Sequence, residues 1–210
     1  MLIKVCGMRD VENIRQVEQL APDWMGFICW GGSSRFVGDT PGYMPDACSR
    51  AGVFVNPSLE EIRHCVIRMG LDTIQLHGEE TPDFCNEVRH LLSPKSGKSL
   101  QLIKAFSIAS DGVFPATAPY EDCCDYFLFD TRCATVGGSG KTFDWDFLRQ
   151  YRGKRPFLLS GGIGEEHAGA LKSFSHPMWA GVDLNSRFED SPAVKNVKKL
   201  KKFIHQLREL

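Results

Sequence analysis

Cys6, His77, Asp130 and Asp183 stand at equivalent places in the chain, each at the end of a short apolar run and just before a glycine or a turn. A thiol and a carboxylic acid facing each other across a pocket make a base and acid pair for moving protons near neutral pH. A cysteine beside Lys4 or Arg35 would have its thiolate favoured by the nearby positive charge. An aspartate at a partly desolvated strand end holds its proton longer than it does in water. Singly, each residue has a plainer reading. A strand-ending cysteine packs as a small hydrophobe, an aspartate before a loop caps a turn, and His77 hydrogen-bonds the Gly78-Glu79-Glu80 loop. Their shared position at strand ends is what favours chemistry.

Two stretches speak to the ligand. Backbone amides left bare by glycine, next to a helix start, suit phosphate. Gly161-Gly162-Ile163-Gly164 has this character, and Leu184-Asn185-Ser186-Arg187 adds side-chain donors and a charge. A phosphorylated small molecule is the expected ligand, with Gly161, Gly162, Asn185 and Ser186 at its phosphate. Gly137-Gly138-Ser139-Gly140 does not fit a strand–GxxxxGK[ST]–helix unit, and it reads as a lid, with a plain linker as the alternative.

Eight strand-like runs position these residues: 3–7, 24–29, 51–55, 73–76, 100–106, 126–129, 157–160 and 180–184. Helical patterns alternate with them. Asp10 caps a stripe of Val11, Ile14, Val17 and Leu20, and Ser58-Leu59-Glu60-Glu61 is a capping box for a helix to Met69. Thr81-Pro82-Asp83 opens another helix. Proline interrupts 38–49, where a short or irregular helix is expected, and 107–120, where at most a broken one is. Residues 93–99 form a turn-rich linker, Phe143-Asp144-Trp145 starts a short helix, and a further helix runs from Gly164 through Phe174. The last helix carries Val194, Val197, Leu200, Ile204 and Leu207 on one stripe, with Lys195, Lys198, Lys199, Lys201 and Lys202 on a solvated face. The count predicts an α/β fold, a (β/α)8 TIM barrel forming a single domain over 1–210, with chemistry at the C-terminal strand ends. A doubly wound open sheet is the alternative, but no GxGxxG follows the first strand.

The formal net charge of −1 gives no reason to expect a nucleic-acid or membrane partner, and no apolar run approaches a membrane span. The sequence starts directly with strand-like residues and shows no targeting segment. Cys6, Cys29, Cys48, Cys65, Cys85, Cys123, Cys124 and Cys133 form no CxxC pair. Reduced thiols and a cytoplasmic location are therefore expected, and no metal site.

Lys4-Val5-Cys6-Gly7, Ser34-Arg35, Val53-Phe54-Val55-Asn56, Gln75-Leu76-His77-Gly78-Glu79, Phe129-Asp130-Thr131 and 137–145 run in order along the chain. Ser160-Gly161-Gly162 and Val182-Asp183-Leu184-Asn185-Ser186 continue the series. Together they resemble the phosphoribosylanthranilate isomerases, barrel enzymes of tryptophan biosynthesis that need no metal or organic cofactor. The resemblance implies an Amadori rearrangement with Cys6 as general base and Asp130 as general acid. It places Arg35 at the anthranilate carboxylate, and His77 and Asp183 near the ribose hydroxyls. The partner it implies is a small phosphorylated substrate, with the protein a monomer or a homodimer. The chain departs from the family at Arg187, where a small residue is usual, and at Pro192-Ala193-Val194-Lys195-Asn196, where Pro-Gly-x-Lys-Asp is usual. A metal-dependent sugar-phosphate epimerase and a non-catalytic phosphate-binding barrel are the competing readings. The first lacks ligands, and the second does not need Cys6 and Asp130 together.

Overall fold

The protein is described by a computed structural model covering residues 1–91, 100–108, 113–130 and 145–209. The expectations for 93–99, 109–112, Cys133, the 135–141 loop and Phe143-Asp144 lie outside the described residues.

Eight parallel strands close into one barrel in sequence order. They are β1 (Leu2–Cys6), β2 (Trp24–Ile28), β3 (Ser49–Phe54), β4 (Thr73–Leu76), β5 (Gln101–Ser107), β6 (Tyr126–Asp130), β7 (Phe157–Ser160) and β8 (Trp179–Leu184). Closure is made by β1 against β8, with Lys4 opposite Asp183. Strand side chains alternate, so the barrel has two apolar compartments. Trp24, Ala51, Ile103, Ala105, Leu128 and Leu158 plug its floor, and a larger cluster fills the space between strands and helices. Trp24 seals the floor by an edge contact to Tyr126, 5.4 Å between centroids, and a 3.2 Å hydrogen bond to Gln101 Oε1.

Among the described residues, five α-helices pack outside: α1 (Val11–Glu18), α2 (Leu59–Met69), α3 (Pro82–Leu91), α4 (Ala168–Ser173) and α5 (Val197–Arg208). Asp10 accepts from Asn13 N at 2.8 Å, and Ser58 with Glu61 forms the expected capping box. Among the described residues, no helix is long and apolar enough to cross a membrane.

Four expectations are corrected. No helix forms over 38–49. Instead Glu18 takes hydrogen bonds from Asp46 N, Ala47 N and the Tyr43 hydroxyl, holding a proline-broken segment against α1. The helix toward Phe174 begins as a 3-10 turn, Glu165–His167, and becomes α-helical only at Ala168. The last helix starts at Val197, because the Asn196 side chain caps it at Lys199 N. Val194 and Lys195 instead form β10 (Val194–Lys195), the return strand of a hairpin with β9 (Glu189–Ser191). Lys195 is therefore buried, 2% exposed, and has no place on a solvated face.

The cysteines also group more closely than their spacing suggests. The sulfurs of buried Cys85, Cys123 and Cys124 lie within 4.8 Å of one another, brought together by α3 and the turn before β6.

Candidate active site

All nine residues expected at the site line one cavity of about 700 Å³ at the C-terminal end of the strands. Cys6 comes from β1 and Asp130 from β6, on facing walls. Arg35 enters from the loop after β2, His77 from the end of β4, and Asp183 from β8. Gly161 and Gly162 follow β7, while Asn185 and Ser186 follow β8. Arg187 lines the same wall.

The thiol sits in a tight charged environment. Lys4 is fully buried and donates to Asp183 Oδ1 at 2.9 Å, and Asp183 Oδ2 accepts from Ser160 Oγ at 3.4 Å. Burial alone would lower the Lys4 pKa, but Asp183 and Cys6 more than offset it and hold the ammonium above its ordinary range. Burial pushes the Cys6 thiol up, against the charges of Lys4 and Lys195. Gly7 then turns the chain with φ +76°, where a Cβ would strike Asn185 Oδ1 at 2.7 Å and Arg35 Cδ at 2.8 Å. Only glycine fits between the β1 end and the far wall.

Across the cavity, His77 Nε2 is 3.2 Å from Asp130 Oδ2, and Gln75 Nε2 is 3.0 Å from His77 Nδ1. The imidazole thus bridges the Gln75 amide at Nδ1 and the Asp130 carboxyl at Nε2. The three side chains form a line from the barrel interior to the acid. Gln75 Oε1 is buried at the cavity without a hydrogen-bond partner among the described residues.

Arg35 is held by a residue that the sequence did not single out. Its Nε donates to both Glu189 oxygens at 2.8 and 3.0 Å, and its Nη2 to Oε2 at 2.5 Å. Lys195 Nζ donates to the same carboxylate at 2.6 Å and to Asn185 Oδ1 at 2.8 Å. Burial would raise the Glu189 carboxyl, but hydrogen bonds from Arg35 and Lys195 bring it below its usual range. Burial lowers Lys195 in turn, with Glu189 opposing. The hairpin thus fixes the arginine fork from behind. The turn at Pro192-Ala193 was the available signal, but the helical stripe running on from Val197 absorbed Lys195.

At Gly162 the backbone has φ +68° with open space at its Cβ position, so this wall presents bare peptide groups. Together the walls offer a thiol, a carboxyl, a guanidinium and a polar glycine-rich lip around one volume.

Comparisons with known proteins cover nearly the whole chain. The profile of the N-(5'-phosphoribosyl)anthranilate isomerase family matches residues 3–206. The N-(5'-phosphoribosyl)anthranilate isomerase of Phocaeicola vulgatus is 50% identical over 209 residues, covering 100% of this chain and 98% of that protein. The one from Parabacteroides distasonis is 48% identical, covering 99% and 93%. The crystal structure of phosphoribosyl anthranilate isomerase from Thermotoga maritima superposes with a TM-score of 0.81 at 28% identity over the full length of both chains. Another, in complex with reduced 1-(o-carboxyphenylamino)-1-deoxyribulose 5-phosphate, gives 0.78 at 25% identity, again over both full chains. The chain belongs to the phosphoribosylanthranilate isomerase family.

Proposed function

We propose that this cavity catalyses the Amadori rearrangement of N-(5-phosphoribosyl)anthranilate to 1-(2-carboxyphenylamino)-1-deoxyribulose 5-phosphate, a step of tryptophan biosynthesis. The observation that carries the assignment of roles is the placement of Cys6 and Asp130 on opposite walls of one volume. A sugar lying between them meets an acid on one side and a base on the other.

In this reading Asp130 protonates the ring oxygen, the C1–O bond opens, and the anthranilate nitrogen becomes a Schiff base. Cys6 removes the proton at C2, and the resulting enolamine tautomerises to the 2-ketone. Each acid–base step of this sort contributes roughly 10²–10⁴-fold, so positioning must supply much of the remaining acceleration. Arg35 meets the anthranilate carboxylate, already aimed by Glu189. Ile28, Val53, Val55 and Trp30 supply an apolar wall for the aromatic ring. His77 and Asp183 reach the ribose hydroxyls. Gly161, Gly162, Asn185 and Ser186 hold the phosphate, with Arg187 beside them.

The test is loss of the fluorescence of phosphoribosylanthranilate made in situ. The purified chain should consume it, and Cys6→Ala and Asp130→Ala should each abolish turnover without unfolding the barrel. No consumption by the unsubstituted chain would refute the activity. Full activity in either variant would refute only that residue's role.

A further inference from the structure

A second cavity, of about 590 Å³, opens between the chain after β2 and the helix α2, and shares no lining residue with the first. Cys29, Phe36, Val37 and Gly38 form one wall, and Ser58, His64, Cys65 and Arg68 belong to the other. Cys29 and Cys65 are both half-buried, so solvent reaches them, unlike the core thiols Cys85, Cys123 and Cys124. Both side chains line this one cavity and act on each other's ionisation, while the Cys29 thiol donates to the Phe27 carbonyl at 3.5 Å.

The surroundings treat the two sulfurs differently. Interaction with the neighbouring Cys29 thiol leads the causes that favour the Cys65 thiolate, with Arg68 and His64 adding to it, and against the cost of burial they push it down to about 6. The same interaction, with burial, pushes Cys29 up. The Arg68 guanidinium is shared: its Nη1 donates to the Gly38 carbonyl, and its charge and a further hydrogen bond favour the Cys65 thiolate. A solvent-reached thiolate beside a second, protonated thiol is the arrangement of a redox-sensitive pair.

We propose that Cys65 is a site of reversible thiol oxidation by a hydroperoxide, with Cys29 as its resolving partner. The Cys65 thiolate attacks the peroxide, an S–O bond forms as the O–O bond breaks, and one water leaves after proton uptake. The Cys29 sulfur then attacks Cys65, an S–S bond forms as the S–O bond breaks, and the second oxygen leaves as water with the Cys29 proton. The two thiols are oxidised by two electrons and the peroxide is reduced to water. An external dithiol reverses the change. This site stands apart from the isomerase chemistry and does not depend on it.

The experiment exposes the reduced full-length chain to hydrogen peroxide and maps its cysteines by mass spectrometry. A Cys29–Cys65 disulfide is expected. In Cys29→Ser, Cys65 should accumulate as a sulfenic acid trapped by dimedone, and in Cys65→Ser both products should vanish. Cys48 serves as an internal reference in the unsubstituted chain, being half-buried too but pushed up to about 12, chiefly by burial. At pH 7 iodoacetamide should modify Cys65 faster than Cys48 by on the order of a hundredfold, since the loss of intrinsic nucleophilicity offsets only part of the gain in thiolate. Equal alkylation of the two, or oxidation in Cys65→Ser as fast as in the parent, would overturn the proposal. The alkylation comparison decides even if a serine variant does not fold.

Discussion

Gly26 and Cys6 share one space: a Cβ added at Gly26 would lie 2.7 Å from the Cys6 sulfur and 3.1 Å from Lys4 Nζ. The two residues are register partners on adjacent strands, both facing the barrel interior. The absence of a side chain on β2 is therefore what gives the thiol its rotamer. Gly26→Ala should displace the sulfur while adding little bulk to the fold. A shift near 1 Å at a reacting group costs about 10²-fold in rate, and overpacking one methyl costs about 1–3 kcal/mol. The expected result is a kcat near 1% of the parent in a barrel that still unfolds cooperatively. Unchanged kcat would mean that the thiol has room to move.

The same thiol sets a pH dependence. Burial raises Cys6 above its ordinary value of 9.0, so the free protein holds it protonated at neutral pH. kcat/KM reports ionisations of the free enzyme. It should therefore climb with pH from about 7 and still be rising above about 9, where a typical thiol levels off. Lys4 and Lys195 both favour the thiolate, so Lys195→Met should move the limb to still higher pH. Iodoacetamide inactivation at Cys6 should follow the same curve. A profile flat across this range would remove Cys6 as the base.

The barrel was legible because its signals are local. β-branched runs, a capping hydroxyl at Ser58 and prolines at helix starts each report on neighbours a few residues away. Strand-end residues could be collected for the same reason, since one fold rule places all strand ends together. Glu189 and Lys195 escaped because their importance comes from contacts at long sequence separation. Glu189 meets Arg35 across 154 residues, and nothing near either one announces it. The period of α5 also extends backward by chance through Val194, which hid both the local Asn196 cap and the pairing of Val194 and Lys195 with β9. Gln75 appeared only as part of a motif and was given no role, since its significance lies in the line through His77 to Asp130.

Glu189 carries a prediction of its own. Its side chain is 5% exposed and its folded pKa lies below the ordinary 4.5. A depressed carboxyl contributes stability that is fully present above the unfolded value and is lost as pH falls through the folded one. The loss should therefore begin below about pH 4.5. Glu189→Gln should destabilise the chain at pH 7 by about 2–3 kcal/mol, the scale of hydrogen bonds to charged groups. That difference should shrink toward zero in acid. Urea unfolding at pH 7 and pH 3 measures it, and a constant difference would contradict the assignment. Freed from its clamp, Arg35 should also bind substrate less well, raising KM.

Lys4 behaves oppositely with pH. Lys4 is raised above its ordinary 10.5, so its contribution is complete below that value and is lost only as pH rises through the folded one. Lys4→Met strands a carboxylate that is 6% exposed inside the barrel. Removing one partner of a buried pair costs about 3–5 kcal/mol. Chemical denaturation at neutral pH should show that loss. A change under about 1 kcal/mol would mean that water already screens the pair.

Ala193 tests whether the hairpin's strain is real. It has φ +68°, is fully buried, and donates its N–H to Glu189 Oε1 at 3.2 Å. The left-handed turn is what brings that N–H onto the carboxylate, and the related family pattern has glycine there. An L-residue in this region costs about 1–2 kcal/mol, yet Ala193→Gly gains less than that. Glycine frees the unfolded chain by about 0.4–1 kcal/mol and forfeits the burial of one methyl, about 0.8 kcal/mol. The net should lie within about 1 kcal/mol of zero, with KM for the substrate unchanged. Ala193→Val is the opposite case. A β-branched side chain at positive φ is a genuine outlier, and here it would also enter a closed space. It should cost more than about 2 kcal/mol and, by pulling the turn away from Glu189, raise KM through Arg35. Thermal unfolding together with KM for both variants decides the matter. A valine variant as stable as the parent would show that this turn adapts to other backbone angles.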